Sequence, residues 1–294
     1  MPHLPPRGLR DIAIPALFVL LWSTGFVGAK LGLPYCEPLT FLALRFACVL
    51  VVLMPVCWLA HAAWPSAADA GRVAVAGVLI QAGYLGGVFT SIHQGMPAGV
   101  SALIVGVQPI LTAVLGARVL GERTLGRQWA GLALGLAGVL LVVWDKMTLE
   151  GVGIASVSLS VLALVSITAG TVWQKRYCAH VDLRTNSAIQ LIAALALIAP
   201  LAALIETREV RWEPQFVFAL AWLVFVLSLG AFFLLFLLIR RGAATRVASL
   251  MYLTPACAAL LAWWLFGESF TLVSASGMAL AVVAVWLVTH QASG

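Results

Sequence analysis

The chain has 294 residues, of which 63% are hydrophobic and 10% charged, with a mean hydropathy of +1.06. That balance excludes a water-soluble globular domain, and also a disordered chain, which is poor in apolar residues and rich in net charge. The formal charge of +6 does not indicate nucleic acid, because the basic residues lie in short connections between apolar runs rather than along a stripe.

A hydrocarbon core about 30 Å thick is crossed by roughly 20 apolar residues in a helix. Apolar runs between charges and turn residues predict ten such spans, roughly 12–31, 39–60, 73–93, 98–119, 126–144, 152–174, 185–205, 214–239, 245–266 and 271–290. They use about 200 residues and leave about nine per connection, too few for a soluble domain. No small-residue cleavage site follows the first apolar run, so that helix is expected to be retained.

Sorted into alternate connections, twelve of the 17 basic residues fall on the side of the N-terminus, Arg72, Arg123, Arg176 and Arg241 among them. Lys30, Lys146, Arg208 and Arg211 fall on the other side, and Arg45 lies inside the second span. This asymmetry predicts cytoplasmic termini and an even number of spans. Arg45 is expected to snorkel to the nearby span end, with Glu37 or Glu268 as alternative partners, and Lys30 and Lys175 to anchor at the interface, with a gate role as the alternative.

The two halves resemble each other. Gly25, Lys30, Thr40 and Pro55 recur as Gly170, Lys175, Thr185 and Pro200. Gly83 and Gly95 recur as Gly230 and Gly242, and Pro109, Gly121, Glu122 and Gly131 as Pro255, Gly267, Glu268 and Gly277. Residues 1–147 and 148–294 then form two five-helix repeats. Since five is odd, the second enters the membrane from the opposite face. Such inverted repeats enclose a midplane site and expose it to alternate sides by rocking, which points to transport.

Polar side chains within a bilayer are expensive unless they face a neighbouring helix or a wet cavity. Span one carries Trp22, Ser23 and Phe26, span three Gln81, Tyr84 and Ser91, span four Ser101, Gln108 and Thr112. Span six carries Ser160, Thr168, Thr171 and Gln174, span eight Trp222 and Ser228, span nine Ser249, Tyr252 and Thr254. Spans one, three, four, six, eight and nine are therefore expected around a central cavity, with two, five, seven and ten outside. The candidate cargo contacts are Trp22, Ser23, Phe26, Gln81, Tyr84, Gln108, Thr168, Ser228 and Tyr252. Pro109 and Pro255 are candidate hinges, since proline removes a backbone donor and bends a helix. Serine and threonine in such helices commonly bond to their own backbone one turn earlier, whereas a glutamine amide cannot satisfy itself locally. For Gln81 and Gln108, helix–helix bonding and cargo contact remain equally open.

All 11 acidic residues lie at span ends or in connections, so no carboxylate proton relay is expected in mid-membrane. The three lysines do not follow glycine, which excludes a G-K-[ST] phosphate loop, and neither H-E-x-x-H nor G-x-S-x-G occurs. The five histidines are peripheral and the five cysteines show no C-x-x-C pairing, so no metal, cofactor or disulfide framework is expected.

The segments GMPAGVSALIVGVQPILTAVLGARVLGE, RGAATRVASLMYLTPACAALLAWWLFGE and WSTGFVGAK resemble the drug/metabolite transporter superfamily, in its ten-helix EamA-type exporter branch. The resemblance covers nearly the whole chain, twice over. It implies an all-helical membrane fold of ten helices in a 5+5 inverted repeat, cytoplasmic termini, and a cavity formed by helices one, three, four, six, eight and nine. Within the branch the sequence is most similar to the YddG-type aromatic amino-acid exporters, which implies amino acids and related metabolites as cargo. The four-helix multidrug relatives carry a membrane glutamate in their first helix. Here Leu21, Trp22 and Ser23 stand in that region, which argues against proton-coupled drug antiport by such a residue.

The expected protein is thus an inner-membrane secondary transporter exporting small metabolites, aromatic or large neutral amino acids foremost, by alternating access. Export of drugs or other metabolites is the alternative within transport; an intramembrane enzyme or a receptor are alternatives from other classes. Its partners are a small-molecule cargo and membrane lipids, not nucleic acid, and a monomer is compatible with the sequence.

Overall fold

The computed structural model describes residues 9–108, 110–112, 115, 126–149, 152–231, 234, 254–269 and 271–289. Among these residues the chain is helical, with no strand. In chain order the helices are α1 (Leu9–Gly32), α2 (Pro38–Leu59), α3 (Ala67–His93), α4 (Ala98–Val105), α5 (Gly126–Leu149) and α6 (Ile154–Tyr177). They continue as α7 (Leu183–Ile205), α8 (Pro214–Ala231), α9 (Thr254–Phe266) and α10 (Leu272–Thr289). Five of them, α2, α3, α6, α7 and α8, are long and apolar enough to cross a membrane. The shorter apolar stretches Ala16–Gly32, Ala98–Thr112, Trp129–Val142, Thr254–Phe266 and Leu272–Ala284 overlap parts of the remaining predicted spans. Large apolar side chains such as Leu140, Leu204, Trp264 and Leu272 face outward, which suits contact with lipid rather than water.

The helices pack in pairs distant in sequence. α2 lies on α7, α5 on α10 and α4 on α9; α3 lies on α6 while α1 lies on α8; and α3 lies on α7 while α2 lies on α8. Small residues permit the tightest approaches. A methyl group on Gly138 of α5 would stand 2.5 Å from the Gly277 carbonyl oxygen of α10, and one on Gly277 would stand 2.6 Å from that of Gly138. Likewise Gly77 of α3 abuts the backbone of Gln190 in α7. Such contacts carry van der Waals attraction where lipid supplies no hydrophobic drive between helices.

α3 and α8 share a second feature, a stretch of π-helix in mid-span, over Val78–Leu85 and Trp222–Ala231 respectively. Bonding to the fifth residue widens the turn and rotates the following side chains, and such segments gather at functional sites.

The face on which α1 ends and α2 begins is laced by carboxylates. Glu206, just after α7, accepts the Leu39 N–H at 2.8 Å and the Thr40 N–H and hydroxyl at 2.7 Å, satisfying the free donors at the start of α2. Glu37 reciprocates, accepting the Thr207 N–H and hydroxyl at 2.6 Å. Cys36 forms an isolated bridge with Val210 beside them. Asp145 at the end of α5 accepts from Ser274 at 2.8 Å. Lys30, at the end of α1, pairs with Glu268 at 2.6 Å.

Candidate functional site

A cavity of about 730 Å³ lies between α1, α2, α3, α6, α7 and α8. Its volume falls in the range of roughly 300–1,000 Å³ typical of small-molecule sites. α1 contributes Trp22, Gly25 and Phe26; α2 contributes Arg45, Val49, Leu53 and Val56. The π stretch of α3 supplies Ile80, Gln81, Tyr84 and Leu85, and that of α8 supplies Leu227, Ser228 and Leu229. Ile167 and Gln174 come from α6, and Asn186, Gln190 and Leu191 from α7. The wall is thus mainly apolar, with a few polar groups able to orient a ligand.

The cavity reaches the face where α2 ends and α7 begins, since Asp182, Leu183 and Arg184 also line it. There Asp182 and Arg184 pair at 2.7 Å, and the Arg184 N–H bond to the Asp182 carboxylate caps α7. The Arg184 side chain holds the Asp182 carboxyl below the usual aspartate range. At the opposite face the Lys30–Glu268 pair ties the end of α1 to the end of α9, and neither residue lines the cavity.

Of the sequence-derived cargo contacts, Trp22, Phe26, Gln81, Tyr84 and Ser228 line this cavity together. Three others are placed elsewhere. Ser23 is fully buried and donates to the carbonyls of Val19 at 2.7 Å and Thr254 at 3.2 Å, joining α1 to α9. Thr168 donates to the Leu164 carbonyl of its own helix at 2.7 Å. Gln108 donates to the hydroxyls of Thr112 and Thr171, each at 3.2 Å, and so bonds helix to helix. Tyr252 and Pro109 lie outside the described residues. Pro255 is buried at the start of α9 against Gly106, where a methyl group would stand 2.4 Å from its Cγ. Trp222, also singled out in the sequence, donates to the Thr24 hydroxyl at 2.8 Å and bridges α8 to α1. A further hydroxyl cluster, Ser91 with Ser160 at 2.6 Å and Ser160 with Ser101 at 3.5 Å, binds α3, α6 and α4.

Two expectations are corrected. α2 and α7, expected outside, form part of the wall, whereas no described residue of α4 or α9 does. Sorting spans by mid-membrane polar groups misses α2, which contributes mainly Val49, Leu53 and Val56, and α7, whose polar groups Asn186 and Gln190 lie near its start rather than at mid-span. Arg45, expected to snorkel, is 6% exposed and turns inward, donating to the Ser228 hydroxyl from Nη2 at 3.0 Å and from Nε at 3.4 Å. Its suggested partners are engaged elsewhere, Glu37 by Thr207 and Glu268 by Lys30. Asn186 and Gln190 also went unrecognised. They are 4% and 5% exposed and form an amide chain in which Gln190 donates to Asn186 at 2.5 Å and to Gln174 at 3.2 Å.

Comparison with known proteins adds a family. The model of the EamA-like transporter family matches residues 12–144 and 154–290. The "Probable amino-acid metabolite efflux pump" of Escherichia coli K12 is 28% identical over 287 residues, covering 95% of this chain and 94% of that protein. Its namesake in Salmonella typhimurium is 27% identical with the same coverage. The "Uncharacterized inner membrane transporter YedA" of Escherichia coli K12 is 27% identical, covering 94% of this chain and 89% of that protein. A solved crystal structure has the same fold, with a TM-score of 0.66 at 22% identity and 94% of each chain covered.

Proposed function

The chain belongs to the EamA-like transporter family, and on that premise we propose that this multi-pass membrane protein exports amino acids with aromatic or large neutral side chains, or similar metabolites. The observation that carries the reading is the cavity itself. Its apolar wall, with Trp22, Phe26 and Leu227, accommodates a large side chain, while Gln81, Tyr84, Arg45 and Ser228 offer polar contacts to a ligand's head. The names of the two efflux pumps point to the same class of cargo.

The mechanism is alternating access by ten spans in a 5+5 inverted repeat. The pairing of helices supports it: shifting each label by five turns α2–α7, α5–α10 and α4–α9 into themselves and α3–α6 into α8–α1. That is the contact pattern of two halves related by a twofold axis in the membrane plane. The double match of the family model and the recurrence of π-helix in α3 and α8 support it too. In this arrangement the termini are cytoplasmic in the inner membrane, the cavity faces the cytoplasm, and the Lys30–Glu268 side is closed.

Counterflow in proteoliposomes tests the cargo. Vesicles loaded with unlabelled amino acids are challenged with labelled Trp, Phe, Thr and Glu, against protein-free vesicles. Uptake of Trp and Phe above Glu is expected. Folded protein that takes up none of them overturns the amino-acid assignment and leaves drugs or other metabolites as cargo.

A further inference from the structure

We propose that Arg45 is a carboxylate-binding group and sets the specificity of the cavity for cargo bearing one free carboxylate; this rests on reading the cavity as the cargo site.

Arg45 is the eighth residue of α2, so at 1.5 Å per residue it lies about 10 Å inside the helix start, within the hydrocarbon depth. A guanidinium remains ionised at any physiological pH, and a charge at such depth is costly unless paired. Among the described residues it has no carboxylate partner. Asp182 is held by Arg184, Glu268 by Lys30, and Asp69 by Arg72. Glu37 accepts from Thr207, Glu206 caps α2, and Asp145 accepts from Ser274. A charged group kept in a cavity wall with none of these as its counterion is arranged for a ligand that supplies one.

The geometry of the guanidinium says how. Its Nε and Nη2 both address the Ser228 hydroxyl, which occupies one edge of the planar fork. The opposite edge, with Nη1 and the second Nη2 hydrogen, makes no hydrogen bond to a described residue. Two parallel N–H groups on one edge match the two oxygens of a carboxylate, the bidentate arrangement that arginine provides and lysine does not. Ser228 fixes the plane of the fork by coming from α8, a different helix from α2.

Charge selects among anions. The only other described cation lining the cavity, Arg184, is neutralised by Asp182 at its mouth. One unpaired positive charge balances a monoanionic carboxylate and leaves a phosphate dianion short of a partner. Gln81 and Tyr84 share the wall and supply further polar contacts at the ligand's head, while Trp22 and Phe26 face its apolar part.

The test varies the ligand first and the protein second. Counterflow of labelled Phe is measured in proteoliposomes with unlabelled Phe, phenylalaninamide or phenethylamine as competitor. The amide and the amine keep the ring and lack the carboxylate. Wild-type protein is expected to prefer Phe over either by on the order of tenfold or more, since a site built for a polar group rejects analogues lacking it. Arg45→Gln is expected to lose exchange of labelled Phe while still exchanging labelled phenylalaninamide, and Arg45→Lys to keep Phe exchange with a reduced preference. In detergent, Phe should raise the Tm of wild-type protein more than phenylalaninamide does, and this difference should vanish in Arg45→Gln. Phe exchange that the amide inhibits as well as Phe itself overturns the role of Arg45 while the exporter assignment stands. Absence of exchange for every amino acid, with no Tm response to Phe, overturns both.

Discussion

Lys30 Nζ stands 2.6 Å from Glu268 Oε1, and the same carboxylate accepts the backbone N–H groups of Ala98 at 2.8 Å and Gly99 at 3.3 Å. One side chain from the end of α9 thus ties the end of α1 and caps the start of α4, three elements remote in sequence. Its charge favours the helix start, where unbonded N–H groups and the peptide dipoles concentrate partial positive charge.

The two roles are separable by substitution. Lys30→Met removes the ion pair and leaves the cap, whereas Glu268→Ala removes both and strands the Ala98 donor. Loss of a charged hydrogen bond costs about 1.5–3 kcal/mol and loss of a cap about 1 kcal/mol more. In detergent the Tm is expected to fall in the order wild type, Lys30→Met, Glu268→Ala. Equal Tm values for the two variants would show that the cap contributes nothing.

A pH dependence follows from the neighbouring connection. The Thr207 hydroxyl bonded to Glu37 holds that carboxyl below the usual glutamate range, and the Thr207 and Arg208 backbone groups act in the same direction. A carboxyl depressed in the folded state adds stability above its unfolded value, about 4.3, and that contribution is lost as pH falls through the folded value. Asp182, depressed chiefly by the Arg184 side chain, adds to the same acid limb. A profile of Tm against pH should therefore decline below about pH 4.3, less steeply in Glu37→Gln.

Beside it, burial first and the Glu206 and Glu37 carboxylates next push the Cys36 thiol up to about 12. At pH 8 it is a neutral, 4% exposed thiol and a poor nucleophile. A variant retaining Cys36 alone should resist a water-soluble maleimide in the native state and react after unfolding. Rapid native labelling would show that the connection between α1 and α2 opens.

The Gly138–Gly277 crossing predicts a strong positional effect. A methyl group at either position meets a backbone carbonyl oxygen, at 2.5 and 2.6 Å respectively, which cannot swing aside as a side chain would. Gly138→Ala and Gly277→Ala should force α5 and α10 apart at a cost of about 1–3 kcal/mol. Gly153→Ala, where a methyl group meets nothing within 4 Å, serves as the tolerated control. The three variants are compared by Tm and by elution as a single species.

Much of this was legible in the sequence. Five of the predicted apolar runs match helices long and apolar enough to cross a membrane, and the others overlap shorter apolar helices among the described residues. Trp22, Phe26, Gln81, Tyr84 and Ser228 were legible as polar or aromatic groups at depth. Arg45 was not, because its distance from a span end is the same whether it snorkels or turns inward. Only the docking of α2 on α8, which brings Ser228 opposite, decides the direction. The π stretches were equally hidden, since no residue type encodes bonding to the fifth neighbour.

Gln81 and Gln108, alike in the sequence as mid-span amides, differ in what they touch. Gln81 lies in the cavity wall, within the π stretch of α3, and is half-buried. Gln108 spends its amide donors on Thr112 and Thr171, and Thr171 already donates to the Ile167 carbonyl at 2.7 Å, so that its oxygen is the natural acceptor for the amide. Replacing Gln108 with Leu breaks its bond to Thr171 of α6, whose hydroxyl keeps its own bond to the Ile167 carbonyl, a loss of about 0.6 kcal/mol by the average for such contacts. Replacing Gln81 removes a group that lines the cavity and, among the described residues, no hydrogen bond that holds helices together. Gln81→Leu should therefore lower counterflow with little change in Tm, and Gln108→Leu should lower Tm with counterflow per folded molecule near that of wild type. The reverse pattern would move Gln108 into the cargo path and Gln81 into the scaffold, and would require the cavity to close over α4 in the transporting state.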